Sequence, residues 1–151
     1  MKSQKIIVFL LLATFGCLFP SSILIKDIER AVIEGKIEII EDLYQDGTLQ
    51  YIAEEEPNLL HQAIRNRHYE IVELLLKANF NPNTREIRKD DSGRSPMYLA
   101  AESNNNAIVN LLRRYGAFVT DLDITHATLS HRINREMVLR NLRLVQLTQS
   151  S

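Results

Sequence analysis

The sequence predicts an all-α fold, a solenoid of about three helix-turn-helix units followed by a divergent C-terminal helical cap. Three observations carry that expectation. Four stretches share one pattern: "GKIEIIEDLYQDG" from Gly35, "RHYEIVELLLKAN" from Arg67, "NNAIVNLLRRYG" from Asn105 and, more faintly, "NREMVLRNLRL" from Asn134. Each has an apolar pair followed three or four residues later by another apolar group, which sets one stripe along one helix face. A small residue stands eight positions ahead of the pair in the first three copies: Ala31 before Ile39, Ala63 before Ile71 and Ala100 before Ile108. Such a residue lets an earlier helix come close to the next. Finally, Ile39, Ile71, Ile108 and Met137 follow one another at 32, 37 and 29 residues, near the period of about 33 of one repeat class.

The chain opens with a different kind of sequence. Lys2 and Lys5 precede "IIVFLLLATFGCLF", the basic-then-apolar order of an export leader, so residues 1–22 are set apart as a signal peptide or membrane anchor. Three fates are open. Pro20, Ser21 and Ser22 end the apolar run and suit cleavage, giving a periplasmic or secreted protein. Ile6 to Ile25 carries no charge, and about 20 helical residues span a bilayer, so retention would anchor the chain. Cys17 after Gly16 could become a lipidated amino terminus, although Thr14 and Phe15 suit that modification poorly.

Residues 23–121 form the repeat domain, and 122–151 the cap and tail. The first unit, "DIERAVIEGKIEIIEDLYQDG", begins the stack. The second is "NLLHQAIRNRHYEIVELLLKANFNPN", with Asn58 as a candidate helix cap and Asn79 able to end a helix in left-handed geometry. In the third, "DSGRSPMYLAAESNNNAIVNLLRRYGA", Ser95 can cap a helix whose first residue is Pro96. Between the second and third lies a long return, and the 37-residue spacing exceeds about 33 there because solenoid insertions go to projecting loops. The cap is expected as two helices, roughly Leu122 to His131 and Arg135 to Leu147, with Glu136, Met137 and Val138 in the repeat register and "TQSS" fraying.

Those motifs resemble the ankyrin repeat over residues 26 to about 121. Ser95 and Pro96 stand for the family's Thr-Pro, Met97 for Leu, Tyr98 for His, and Ala100 with Ala101 for its alanine pair. In the second unit Leu60 and His61 take the Leu-His positions, while Leu59, Arg67 and Asn79 replace a proline and two glycines. The first unit lacks the signature and resembles an amino-terminal cap.

The resemblance implies a binding module for a protein partner, its contacts made by a concave face and projecting fingers. Carried over position by position, the contact residues are Ile33 and Glu34 in the first unit, Arg65 and Asn66 in the second, and Asp91, Ser92, Arg94, Glu102 and Ser103 in the third. Tyr51, Glu54 and Glu55 in an acidic finger, and Arg85 and Arg88 in the long return, join them. The resemblance also places His61 and His68 where histidines bond backbone between neighbouring units. A small exported, bacterial inhibitor, immunity protein or effector is expected, and a membrane-tethered envelope scaffold is the alternative.

Composition and motif searches point the same way. With 45% hydrophobic and 25% charged residues, one cysteine and no tryptophan, the chain is ordinary globular material without means for an internal disulfide. Residues 23–60 hold three basic against ten acidic residues, net −7, while 61–151 are net +4; the acidic end would steer a basic partner. Basic residues are dispersed among acids, which argues against nucleic acid. No nucleophile elbow, zinc-binding helix or phosphate loop is present. His126 and His131 lie on different faces of a helix, and Glu54 to Glu56 followed by Pro57 lack a calcium loop's spacing. No catalysis, cofactor, metal or small-molecule substrate is therefore expected, and the membrane enters only through the leader.

Overall fold

A computed structural model describes residues 22–86, 93–129 and 135–149, with side chains from Ile25 onward. Among these residues there are helices and turns and no strand. The first unit pairs α1 (Ser22–Glu34) with α2 (Ile37–Gln45) and adds a short α3 (Thr48–Ile52). The second pairs α4 (Asn58–Arg65) with α5 (Tyr69–Lys77), and the third α6 (Pro96–Glu102) with α7 (Asn106–Arg114). The cap consists of α8 (Asp121–Leu129) and α9 (Arg135–Gln149). Residues 1–21 of the expected leader lie outside the described residues, and α1 takes in Ser22 to Ile25 as part of the first unit.

The pairs stack in two rows. The first helices form one row, α1 on α4 and α4 on α6, while the second helices form another, α2 on α5 and α5 on α7. The alanines allow this approach: Ala31, Ala63 and Ala100 are all buried. The same backbone turn joins each pair, with Lys36, His68 and Asn105 N–H donating to the carbonyls of Ala31, Ala63 and Ala100 at 2.9, 3.1 and 3.1 Å. It requires left-handed geometry one residue earlier, at Gly35 (φ 72°), Arg67 (φ 61°) and Asn104 (φ 52°). Only glycine adopts that region without steric cost. Arg67 occupies it while its guanidinium donates to Ser103 O of the next unit at 2.8 Å.

Apolar residues follow the expected stripe in the internal units: Ile71, Val72, Leu75 and Leu76 on α5, and Ile108, Val109, Leu111 and Leu112 on α7, are buried. They join the α1, α4, α6 and α9 residues in one continuous core. Ser95 caps α6 as expected, accepting from Tyr98 N–H at 3.0 Å, with Pro96 at the first helical position. Asn58 instead lies inside α4, because Pro57 ahead of it is already helical (φ −61°, ψ −20°).

The cap departs from the repeat pattern in small steps. Leu129, eight residues before Met137, is exposed, and Ala127 is the buried small residue of α8. The buried stripe of α9 is Val138, Leu139, Leu142 and Val145, one residue later than a Met137–Val138 register, because α9 packs mainly on α6 and α8. Of the tail expected to fray, Thr148 and Gln149 continue α9, and the Gln149 side chain accepts from Val119 N–H at 3.3 Å and donates to Ala117 O at 3.3 Å, tying the helix to the third return, while Ser150 and Ser151 lie outside the described residues.

Candidate functional site

The long second return sits on a charged base that four expected contact residues share. Glu86 N–H donates to Arg94 O at 3.1 Å, so the strands of chain on either side of the insertion meet. Gly93 permits this approach, since a Cβ there would fall 2.1 Å from Glu86 O. Arg65, at the end of α4, forms an ion pair with the Glu86 carboxylate, whose side chain is only 6% exposed.

Arg85 reaches in three directions. It donates to Gly93 O at 2.8 Å, to Thr120 Oγ1 at 2.7 Å and to Asp123 Oδ1 at 2.9 Å. Asp123 is fully buried. Its other oxygen accepts from the Thr120 N–H and hydroxyl, both at 2.9 Å, while Asp123 N–H returns to Thr120 Oγ1 at 3.3 Å. Thr120 and Asp123 thus form a reciprocal cap on α8 with an aspartate in the glutamate's usual place. One carboxylate starts the cap helix and clasps the finger.

On the third unit Arg94 pairs with Glu102 at 3.0 Å and lies 5.2 Å from the centroid of the Tyr98 ring, within cation–π range. Tyr98 meets His126 of α8 edge-on, with centroids 6.2 Å apart. His61, one unit earlier, is buried, and its Nδ1–H donates to Pro57 O at 3.1 Å. Burial pushes its pKa down, against the opposing pull of the Pro57 carbonyl and Glu86. The bond of His61 stays within its own unit; His68 is the histidine that crosses between units, donating from Nε2 to Ile33 O at 3.1 Å.

The remaining expected contact residues are more open. Ile33 is 48% exposed and Tyr51, on α3, 66%. Glu54 and Glu55 are exposed, and Glu56 beside them is held above the usual carboxylate range by burial and by Glu29 and Glu55. Glu34 is drawn below its usual range by a hydrogen bond from Lys36. Asn66 is exposed and donates to Gln62 O at 2.9 Å. Ser103 is half-buried, its hydroxyl donating to Ala100 O at 3.0 Å and its carbonyl accepting from Arg67. Arg88, Asp91 and Ser92 lie outside the described residues.

The structure therefore gathers Arg65, Arg85, Arg94 and Glu102 at the finger base and leaves Ile33, Tyr51, Glu54 and Glu55 on the surface of the first unit. Sequence reading missed Glu86, Gly93, Thr120 and Asp123. The spacing of Thr120 and Asp123 was a readable helix-start signal; the pairing with Arg85, 38 residues away, had none. Among the described residues no group of three or more His, Cys, Asp or Glu side chains is placed to hold a metal ion. What the arrangement can do is present a finger on a fixed base beside an acidic, partly apolar surface.

Two rows of paired helices joined by returns define a helical-repeat solenoid. A family model described as ankyrin repeats in three copies matches residues 28–123. The chain belongs to the ankyrin-repeat family. It is 33% identical over 93 residues to the ankyrin repeat protein FPV014 of fowlpox virus (strain NVSL), covering 61% of this chain and 21% of the relative. To FPV219 of the same virus it is 38% identical over 72 residues, 46% of this chain and 16% of the relative. The human transient receptor potential cation channel subfamily A member 1 matches at 27% over 96 residues, 62% of this chain and 8% of the channel. The chain thus spans about a fifth or less of these relatives, whose viral and human sources lend nothing to the expected bacterial origin.

Proposed function

We propose that this protein is a binding module for another protein, engaging it through the first-helix row and the returns, and that its acidic first unit meets a basic surface on the partner. Family membership supports the general role, since solenoids bury their cores between neighbours and leave their faces free. The observation that carries the more specific reading is Tyr51, 66% exposed on α3, with Glu54 and Glu55 exposed beyond it. A tyrosine buries large area at low entropic cost and the carboxylates steer a cation-rich partner toward it. Arg65, Arg85, Arg94 and Glu102 act in this reading by holding the two sides of the finger's base together, and Arg88, Asp91 and Ser92, outside the described residues, are expected to meet the partner.

The leader-like opening supports an exported protein, and an inhibitor, immunity or effector role is the form of binding that suits a small exported module. The alternative draws on Ile6 to Ile25 and Cys17: a retained or lipidated terminus would make the chain a tethered scaffold. Affinity capture of the full chain from its own cells, with intact-mass analysis of its amino terminus, separates them. A processed terminus and one stoichiometric partner, lost in Tyr51→Ala and in Glu54→Lys with Glu55→Lys, is expected. An intact or lipidated terminus with several envelope proteins, indifferent to those substitutions, would replace this reading with the scaffold.

A further inference from the structure

The second finger rests on a histidine that its surroundings leave half-satisfied. His61 on α4 is 1% exposed. Its Nδ1 lies 3.1 Å from Pro57 O, and because a carbonyl only accepts, this nitrogen carries the ring's proton. A neutral imidazole has one N–H, so Nε2 remains a bare lone pair. That atom is shut off from solvent and has no hydrogen-bond partner among the described residues. An unmet buried acceptor is a standing penalty in the folded chain.

The base of the finger faces this ring. The Thr84 carbonyl and the Glu86 carboxylate act on it from the return, and Arg65 acts from one turn further along α4. The helices packed on α4 are α1, α5 and α6, and none of their charged side chains is among the groups that act on the ring. Arg65 pairs with Glu86, and Glu86 N–H donates to Arg94 O at 3.1 Å. A proton added at Nε2 would supply the missing donor but put a full charge in a buried place. Burial is the strongest influence and opposes that charge, as Arg65 does, while Pro57, Glu86 and Thr84 favour it. The neutral ring thus lacks a partner and the charged ring lacks water. Two residues before the buried alanines of the flanking units stand Glu29 and Tyr98, so among the described units the second alone sets a histidine at this place.

We infer that protonation of His61 frees the base of the second finger: the charged ring draws water beneath Thr84 to Glu86, and that segment leaves α4 and its hydrogen bond to Arg94. The ion pair of Arg65 with Glu86 opens with it. Arg85, bonded to Thr120 and Asp123, keeps the segment tethered to α8. Linkage fixes the direction. In the closed form burial holds the ring's pKa below its ordinary value, and hydration returns it toward about 6.5. The open form therefore binds the proton more tightly, and acid favours it. The opening constant rises as pH falls through about 6.5 and levels off below the closed-state pKa. Returns of this kind open locally at less cost than packed helices. The device belongs to the chain alone and does not rest on the protein partner proposed above.

Hydrogen exchange of the full chain, followed by NMR, tests this. Divided by the intrinsic rate at each pH, exchange of the Glu86 amide should be up to about tenfold faster at pH 5.5 than at pH 7.5. At both it should outpace Leu75 and Leu111, in the interiors of α5 and α7. The change should share its midpoint with the titration of the His61 Cε1–H signal, vanish in His61→Gln and persist in His68→Gln. Three results would each overturn the inference: Glu86 exchange independent of pH, an acceleration that survives in His61→Gln (as when Glu56 drives it), or exchange that matches Leu75 at every pH, so that the whole fold opens. Should circular dichroism show His61→Gln unfolded, the wild-type midpoints decide, and a Glu86 profile that follows His68 or His126 instead of His61 also sinks the idea.

Discussion

At Gly35 two constraints coincide on a single missing atom. Its φ of 72° disfavours a side chain, and a Cβ would fall 2.6 Å from the His68 ring that bonds Ile33 O across the unit boundary. Gly35→Ala should therefore cost more than about 1–2 kcal/mol of left-handed strain. Gly47→Ala and Gly116→Ala, at φ 85° and 83° with no atom within 4 Å, should cost only that strain, and urea unfolding of the three variants checks the ranking. His61 supplies a pH signature. Its folded pKa lies below the ordinary value, so the unfolded chain binds the proton more readily and stability falls as pH drops below about 6.5. The raised pKa of Glu56 works in the opposite sense at lower pH. Comparing unfolding free energy between pH 7.5 and 5.5 in wild type and His61→Gln, the wild type should lose more. The alanines, the capping Ser95 and Asn79, left-handed at φ 67°, were legible as residues because each answers a local backbone requirement. The exposure of Ile39, 45% against 1% for Ile71 and 0% for Ile108, was not, since burial at that place depends on contacts outside the helix.

At the scale of elements, the helix pairs and their order were legible because apolar period and turn residues agree three times in succession. The cap was less so, as α9 departs from the repeat packing and takes a register one residue later. The finger base was hidden for another reason: ion pairs between residues far apart in sequence leave no periodic trace. Its energetic weight can be measured. Asp123→Ala removes the partner of Arg85 and half of the α8 cap. Breaking a buried pair costs about 3–5 kcal/mol, and with the Arg85 side chain 26% exposed the lower end, about 3 kcal/mol, is expected. Hydrogen exchange should show protection lost first in α8 and around Glu86. Ser95→Ala, a cap without an ion pair, should cost about 1 kcal/mol and leave α8 protected, as thermal melts and the same exchange experiment would show.

The described helices form a short stack of uneven charge, residues 23–60 carrying net −7 and residues 61–151 net +4. If the acidic first unit engages a basic partner, raising salt from about 0.05 to 0.5 M should weaken binding mainly through a slower association rate, because screening acts on long-range attraction. Surface plasmon resonance with the captured partner would show it, and Glu54→Lys with Glu55→Lys should mimic high salt at low salt. The spacing of 37 residues from Ile71 to Ile108, against 32 from Ile39 to Ile71, leaves the two helix rows undisturbed. The hydrogen bond from Glu86 to Arg94 O closes the chain beneath the extra residues, and the cost of a longer closed loop rises only by about 0.6 kcal/mol per doubling. Lengthening, shortening or rewriting the span from 87 to 92 is therefore expected to leave the Glu86–Arg94 closure and the two described helix rows in place. A foreign peptide grafted there would inherit the same freedom, which makes this return the natural place for the chain to acquire a new target.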